Sequence, residues 1–287
     1  MLRERAPAKL NLDLLVTGRR ADGYHLLDSV VAFADAGDEL SFAPAATLRL
    51  AITGPMAAGL PADETNLVLR AARALAARAG VAAGAAIALD KRLPVAGGIG
   101  GGSADAAAAL RGLCRLWGVR LDSAELMGLA LGLGADVPVC LLGRPARMRG
   151  IGERLDPVPA LPPLDLVLVN PGRPLATAAV FRGLWPADRA PRPALPGEPA
   201  ALLEALRGSR NDLEPPARAV LPAIGDVLEA LASAPGCRLA RMSGSGPTCF
   251  GIFAAAADAD AAAATIAVRR PDWWVTACRS GGGGGAA

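Results

Sequence analysis

Apolar and polar positions alternate over residues 8–16 (AKLNLDLLV), which predicts a strand with one buried face. A polar turn follows at Gly18 to Gly23, and apolar residues resume from Leu26 to Phe33. Over residues 65–80 the period changes to that of an amphipathic helix, with Thr65 placed to cap its start and Gly80 to stop it. A strand is predicted over 85–93, running into a glycine segment, and an alanine- and leucine-rich helix from Ser103 to Trp117. Asp122-Ser-Ala-Glu125 has the spacing of a capping box and opens a third helix that should end near Gly134.

Prolines gather at 155–163 and predict a linker or domain boundary. Beyond them Leu164 to Val169 reads as a short apolar strand, 186–199 as an exposed proline-rich loop, and 200–207 and 214–233 as helices. Arg238–Met242 and Thr248–Phe253 read as strands joined by Ser243-Gly-Ser-Gly-Pro247, followed by a helix at 255–268 and a strand at 273–278. The resulting order, β-α-β-β-α-β, suits a split βαβ, ferredoxin-like unit. Residues 281–287 are low in complexity and predict a disordered tail.

Composition narrows the class. A chain of 287 residues, 52% hydrophobic, is long enough for two domains or one large one. Thirty basic against 27 acidic residues give a net charge of only +3, without the basic excess of a nucleic-acid binder. No charge-free apolar run approaches the roughly 18 residues of a membrane span, and the opening Met-Leu-Arg-Glu-Arg-Ala lacks a signal-peptide core. A cytoplasmic protein with no membrane or nucleic-acid partner is expected. The cysteines at 114, 140, 237, 249 and 278 form no C-x-x-C pair, and a single histidine excludes a His-rich metal centre.

Residue usage carries a finer signal. Only Lys9 and Lys91 among the 30 basic residues are lysine; Tyr24 and His25 are each the sole residue of their kind; asparagine occurs only at 11, 66, 170 and 211. In a chain so biased towards arginine and alanine, a surviving lysine marks either a site where only a compact ammonium fits or chance retention on a solvated face.

The sharpest feature is Pro94-Val-Ala-Gly-Gly-Ile-Gly-Gly-Gly-Ser103. Five glycines within 97–102 leave the backbone bare immediately before a helix, so exposed amides and the helix dipole together make a polyphosphate site. The segment lacks the Lys-Ser/Thr of a Walker loop and does not fit G-x-G-x-x-G. Ser103 is placed to cap the helix or to touch phosphate or Mg²⁺, and Asp105 to complement the helix dipole.

Ala8-Lys-Leu-Asn11, the glycine segment with Ser103-Ala-Asp-Ala-Ala107, and Met242-Ser-Gly-Ser-Gly-Pro247 resemble the three motifs of the GHMP kinase superfamily. Pro7 to Leu12, Arg20-Ala-Asp-Gly-Tyr-His25, Leu133-Gly-Ala-Asp-Val-Pro138 and Arg210-Asn-Asp-Leu213 are similar to the branch acting on 4-diphosphocytidyl-2-C-methyl-D-erythritol. The likeness runs from residue 7 to about 253, in the family's order. It implies an α+β, two-domain GHMP kinase fold. An N-terminal ribosomal-protein-S5-like domain at 1–157 would carry the phosphate loop, and a ferredoxin-like domain would occupy 158–280.

The resemblance further implies that ATP phosphorylates the 2-hydroxyl of the methylerythritol part, with Mg²⁺ following from phosphoryl-transfer chemistry. It makes Asp136 the catalytic base and Lys9 its charged partner. Asn11, two residues along the strand and on the same face as Lys9, is then a substrate hydrogen-bonder. Tyr24 and Phe181 would sandwich a cytosine whose polar edge bonds His25; by the residues alone, Tyr24 reads as a core or interface aromatic and His25 as a turn residue. Asn66 and Lys91 match positions near the nucleotide, beside Pro94, Ala96, Gly97, Gly98, Gly100, Gly101, Gly102 and Ser103. Ser243, Gly244, Ser245 and Gly246 form a supporting glycine turn, or a plain hairpin. Two residues depart from the pattern. Ala96 stands where glycine is commoner, which matters little if its φ is negative; Ala104 replaces a serine.

Two rivals differ at named residues. A homoserine or mevalonate-type kinase shares the loop but has no use for Tyr24, His25 and Phe181. A non-catalytic nucleotide-binding regulator would dispense with Asp136 and Lys9.

Overall fold

The computed structural model describes residues 1–82, 84–159, 161–184, 192 and 194–281. In chain order its elements begin with β1 (Leu2–Asn11), β2 (Leu15–Arg19), β3 (His25–Ala45), β4 (Arg49–Thr53), α1 (Leu67–Ala79) and β5 (Gly84–Asp90). Next come α2 (Gly101–Trp117), α3 (Ser123–Leu133), α4 (Val137–Leu142), β6 (Ala146–Gly150), β7 (Arg154–Pro157) and β8 (Asp165–Asn170). Four helices follow, α5 (Thr177–Arg182), α6 (Pro199–Arg207), α7 (Glu214–Val220) and α8 (Ala223–Ala232). The chain closes on β9 (Cys237–Met242), β10 (Cys249–Phe253), α9 (Ala256–Arg269) and β11 (Trp274–Arg279).

Two compact units, each discontinuous in sequence, divide these elements: residues 1–8, 37–95 and 100–143 form one, and 9–36, 96–99 and 144–287 the other. In the first, β5 lies between β4, which it pairs in parallel, and the second half of β3, which it pairs antiparallel with Phe42 opposite Ile87. Helix α2 buries Ala104, Ala106 to Leu110 and Leu113. Gly112 faces Phe42, whose ring would lie 2.3 Å from a Cβ at that position, so the missing side chain sets how closely α2 approaches β3.

The caps show local chemistry at work. Helix α1 is capped by Asn66, whose Oδ1 accepts the Val68 amide at 2.9 Å, and not by Thr65 as the sequence suggested. Thr65 is engaged elsewhere: its amide and hydroxyl both donate to Asp63 Oδ1, at 2.9 and 2.6 Å. Gly80 ends the helix in the left-handed region as predicted, and the Asp122–Glu125 capping box at α3 is reciprocal.

In the second unit β11-β8-β10-β9 form an antiparallel sheet. Numbered within the unit this order is 4-1-3-2, the ferredoxin-like arrangement the sequence predicted. Val167 and Val169 of the sheet share a core with Ile224, Val227 and Leu231 of α8 and with Ala259, Ala262 and Ile266 of α9. Burying each such branched side chain stabilises by about 1.5–3 kcal/mol, which holds these helices on the sheet. The first half of β3 pairs with β2 and β6, and β6 with β7.

Two expectations need correction. The helix predicted over 214–233 is two helices, broken at Leu221, whose φ of −134° and ψ of 88° are not helical. Pro222 causes the break, because it has no amide to donate and disfavours helical geometry in the residue before it. The proline-rich stretch at 155–163 starts as strand, since β7 reaches Pro157. The predicted loop at 186–199 lies partly, and the tail beyond Gly281 wholly, outside the described residues.

Candidate active site

The second unit gathers one group of candidate residues around the end of β1. Lys9 and Asn11 are 2% and 1% exposed, and the Lys9 ammonium donates to Asn11 Oδ1 at 2.8 Å. The same-face expectation is thereby met, and the solvated-face explanation for Lys9 falls. Asn11 Nδ2 donates to Ser29 Oγ at 2.7 Å, and that hydroxyl donates to the Asp13 carbonyl at 2.6 Å. The Asn11 amide donates to Ser243 Oγ at 3.1 Å.

Residues 96–99 of the glycine segment belong to this unit. Three successive carbonyls are held by donors of the same unit. Thr248 N reaches Gly97 O at 3.1 Å, Ser243 Oγ reaches Gly98 O at 3.1 Å, and Lys9 N reaches Ile99 O at 2.9 Å. In a planar trans peptide the N–H points opposite the carbonyl, so the amides of Gly98, Ile99 and Gly100 project from the other side of the loop. Such a row of amides is an anion-binding surface.

Gly98 is required where it stands. Its φ is +74°, and a Cβ there would lie 2.6–2.7 Å from backbone atoms of Gly246 and Ser243. Ala96 corrects an expectation, because its φ is +52°, and among the described residues it is the single non-glycine with positive φ. The turn 243–246 is held in its own right. Asn211 Nδ2 donates to the carbonyls of Met242 and Gly244, each at 2.8 Å, and Ser245 Oγ lies 3.0 Å from Thr177 Oγ. A plain hairpin needs neither contact.

The same unit holds the expected cytosine-binding residues. The rings of His25 and Phe181 are 5.0 Å apart between centroids and inclined at 32°. Burial lowers the His25 pKa below its ordinary 6.5, and the Arg19 charge adds to this, so the imidazole is neutral at pH 7. Tyr24 is 61% exposed, on a turn whose Arg20 amide donates to the Tyr24 carbonyl at 2.7 Å. It is therefore no core aromatic.

The first unit carries the helix side of the loop. Gly100, in the left-handed region, is the cap position of α2, which places Ser103 third in the helix and not at its cap. Asn66, as a cap, also donates Nδ2 to the Pro61 carbonyl at 2.8 Å. Asp136 is half-buried at the cap position of α4. Lys91 is 3% exposed and donates to Asp38 Oδ2 at 2.6 Å and Asp105 Oδ2 at 2.7 Å. Burial opposes the Lys91 charge, but Asp105 and Asp38 outweigh it and raise its pKa. Asp105 therefore pairs with an ammonium and does not serve the helix dipole; burial pushes its carboxyl up to about 7 against the pull of Lys91.

Sequence reasoning gave no role to Asp38, Ser29 or Asn211. Rarity of asparagine was the available signal for the last. All four asparagines spend their side chains on hydrogen bonds, Asn170 with Thr248 Oγ1 at 2.9 Å. Among the described residues no three His, Cys, Asp or Glu side chains converge as a metal cage, and no helix is long and apolar enough to cross a membrane.

Comparison with known proteins agrees with this geometry. Residues 66–144 match the GHMP kinases N terminal domain, and 192–269 match GHMP kinases C terminal. A 4-diphosphocytidyl-2-C-methyl-D-erythritol kinase of Paramagnetospirillum magneticum is 57% identical over 272 residues, covering 94% of this chain and 95% of that one. One from Paracoccus denitrificans is 58% identical over 278 residues, covering 96% and 95%. A crystal structure of 4-(cytidine 5'-diphospho)-2C-methyl-D-erythritol kinase superposes with a TM-score of 0.81 at 40% identity, over 98% of this chain and 100% of that one. Homoserine kinase from Cytophaga hutchinsonii shares the fold, with a TM-score of 0.74 at 20% identity over 98% and 94%.

Proposed function

The chain belongs to the GHMP kinase family, in its 4-diphosphocytidyl-2-C-methyl-D-erythritol kinase branch, and from that premise we propose how its residues divide the work. It is an ATP-dependent kinase that phosphorylates the 2-hydroxyl of 4-diphosphocytidyl-2-C-methyl-D-erythritol, in the non-mevalonate route to isoprenoids. The observation that carries the residue roles is the glycine segment, with three successive carbonyls turned into protein donors and their amides aimed the other way.

Phosphoryl transfer needs positioning, charge neutralisation and an acceptor for the hydroxyl proton. The amides of 98–100 and the N-terminus of α2 hold the phosphates, with Pro94, Ala96, Gly97, Gly101, Gly102 and Ser103 shaping that surface. Asn66 lies on the nucleotide side. Asp136 takes the proton of the 2-hydroxyl as general base, and Lys9 supplies positive charge to the reaction. Asn11 orients Lys9 and the substrate. Tyr24 and Phe181 stack on the cytosine, and neutral His25 bonds its polar edge. This division of labour assigns the phosphate loop and Asp136 to 1–157 and cytosine stacking on Phe181 to 158–280.

Mg²⁺ would arrive with ATP as its phosphate-bound cation. Bound there, it would neutralise charge on the transferring group, and the Ser103 hydroxyl would be its protein contact. The cytoplasm is the compartment we assign to the protein.

The test is ADP release from MgATP with purified protein, offered the cytidyl substrate, homoserine or mevalonate. Turnover confined to the cytidyl substrate supports the assignment. Turnover with another acceptor overturns the substrate, and none with any acceptor revives the regulator reading.

A further inference from the structure

Asn211 and Asp212, 3% and 5% exposed, stand just ahead of α7. Asn211 forms a parallel bridge with Leu14. The Leu14 amide donates to the Arg210 carbonyl at 2.9 Å, and its carbonyl accepts the Asp212 amide at 2.8 Å. In such extended backbone successive side chains leave on opposite faces, so these two neighbours serve different parts of the same unit.

Asn211 serves the glycine turn. Both protons of its amide group are spent there, on the carbonyls of Met242 and Gly244 at 2.8 Å each, while its Oδ1 accepts the Leu213 amide at 2.9 Å and fixes the side chain. The turn in turn holds the phosphate loop. Ser243 Oγ donates to the Gly98 carbonyl at 3.1 Å, and a Cβ on Gly244 would lie 2.7 Å from that same oxygen. A displaced turn therefore displaces the row of amides that follows Gly97.

Asp212 serves the hairpin. Its Oδ2 accepts the amide of Val16 in β2 at 2.9 Å, and its Oδ1 accepts Arg210 Nε at 2.7 Å. Strand β2 pairs with β3 from Leu15 opposite Asp28 to Arg19 opposite His25, with a slip in register between Val16 and Gly18. An irregular pair of strands is weakly fixed by its own ladder, and Asp212 pins β2 on the near side of the slip. The far side leads to Tyr24 and His25.

We infer that Asn211 and Asp212 are positioning residues that divide the two substrates between them. Asn211 sets the phosphate loop and with it the affinity for ATP. Asp212 sets the β2–β3 hairpin and with it the affinity for the cytosine end of the acceptor. The inference rests on the assignment of ATP to that loop and of cytosine to that hairpin.

Exchanging the two side-chain types tests this without a change in size. Asn211→Asp turns two donors into acceptors that face two carbonyls, and Asp212→Asn leaves one acceptor for two donors. MgATP and 4-diphosphocytidyl-2-C-methyl-D-erythritol are titrated calorimetrically, each without the other, into wild type and both variants. Asn211→Asp should raise the Kd for MgATP about tenfold and Asp212→Asn the Kd for the cytidyl substrate about fivefold, each changing the other ligand by less than about twofold. A merely structural role would weaken both ligands together in each variant, and any pattern other than the one stated overturns the inference. Failure of wild type to bind either ligand overturns the functional reading and this inference with it. Should a variant not fold, Asn211→Ser or Asp212→Ser, which drop the contacts without setting like poles face to face, carries the same comparison.

Discussion

Asn11 Oδ1 receives the Lys9 ammonium at 2.8 Å, a buried bond between residues two apart on one strand. An amide oxygen orients an ammonium without neutralising it. Asn11 is fixed in turn by Ser29, and its backbone by Ser243.

Lys9→Arg tests whether charge alone suffices. A planar guanidinium does not fit a site that is 2% exposed and shaped around a point charge. We expect kcat to fall by about 100-fold or more, with far less change in the KM for ATP. Activity near wild type would remove the compact ammonium from the mechanism.

Gly98→Ala adds a methyl group 2.6 Å from the Gly246 carbonyl at a φ of +74°. The left-handed conformation alone costs about 1–2 kcal/mol, before the clash with the turn is added. Thermal melting should show a clear loss of Tm. Gly102→Ala is the contrast, because nothing lies within 4 Å of its Cβ and alanine favours helix, so its Tm should not drop.

Ala96→Gly should stabilise the protein. The native φ of +52° strains alanine, and glycine releases about 0.5–1 kcal/mol net of its greater freedom when unfolded. A rise in Tm of about 1–2 °C is expected, and Ala96→Val should lower it. A lower Tm for the glycine variant would count against strain at this position.

Phe181→Ala removes the ring that faces His25 at 5.0 Å. Stacking of a base on an aromatic ring is worth about 1–3 kcal/mol, so the KM for the cytidyl substrate should rise roughly ten- to 100-fold. Tyr24→Ala should act in the same direction. Steady-state kinetics that show equal effects on both substrates would argue against cytosine stacking.

Much of this was legible in the sequence because it is local. Alternation, glycine stops and the capping box found α1, α3 and the strands of the ferredoxin-like unit nearly to the residue. The second half of β3 was not found. Its Asp35, Asp38 and Glu39 interrupt the apolar run, and only pairing with β5 makes that stretch a strand. The same limit explains Asp105, whose partners Lys91 and Asp38 lie 14 and 67 residues away, with no sequence signal to announce them. Thr65 and Asn66 are both good caps, and the choice fell to Asp63, which engages the threonine. The sign of φ at Ala96 is set by the loop around it and is written in no side chain.

The strand order of the C-terminal sheet has a consequence for biosynthesis. Val169, in the apolar strand β8, stands opposite Cys249 on one side and Val275 on the other. A ribosome making the chain from its N-terminus thus releases this sheet's first strand long before either neighbour exists. Until then β8 has two open edges, a state that invites pairing with other chains. Of this sheet's four strands the last to leave the ribosome, β11, is the one that shuts the second edge, which makes its synthesis a condition of safe folding for the strands made before it.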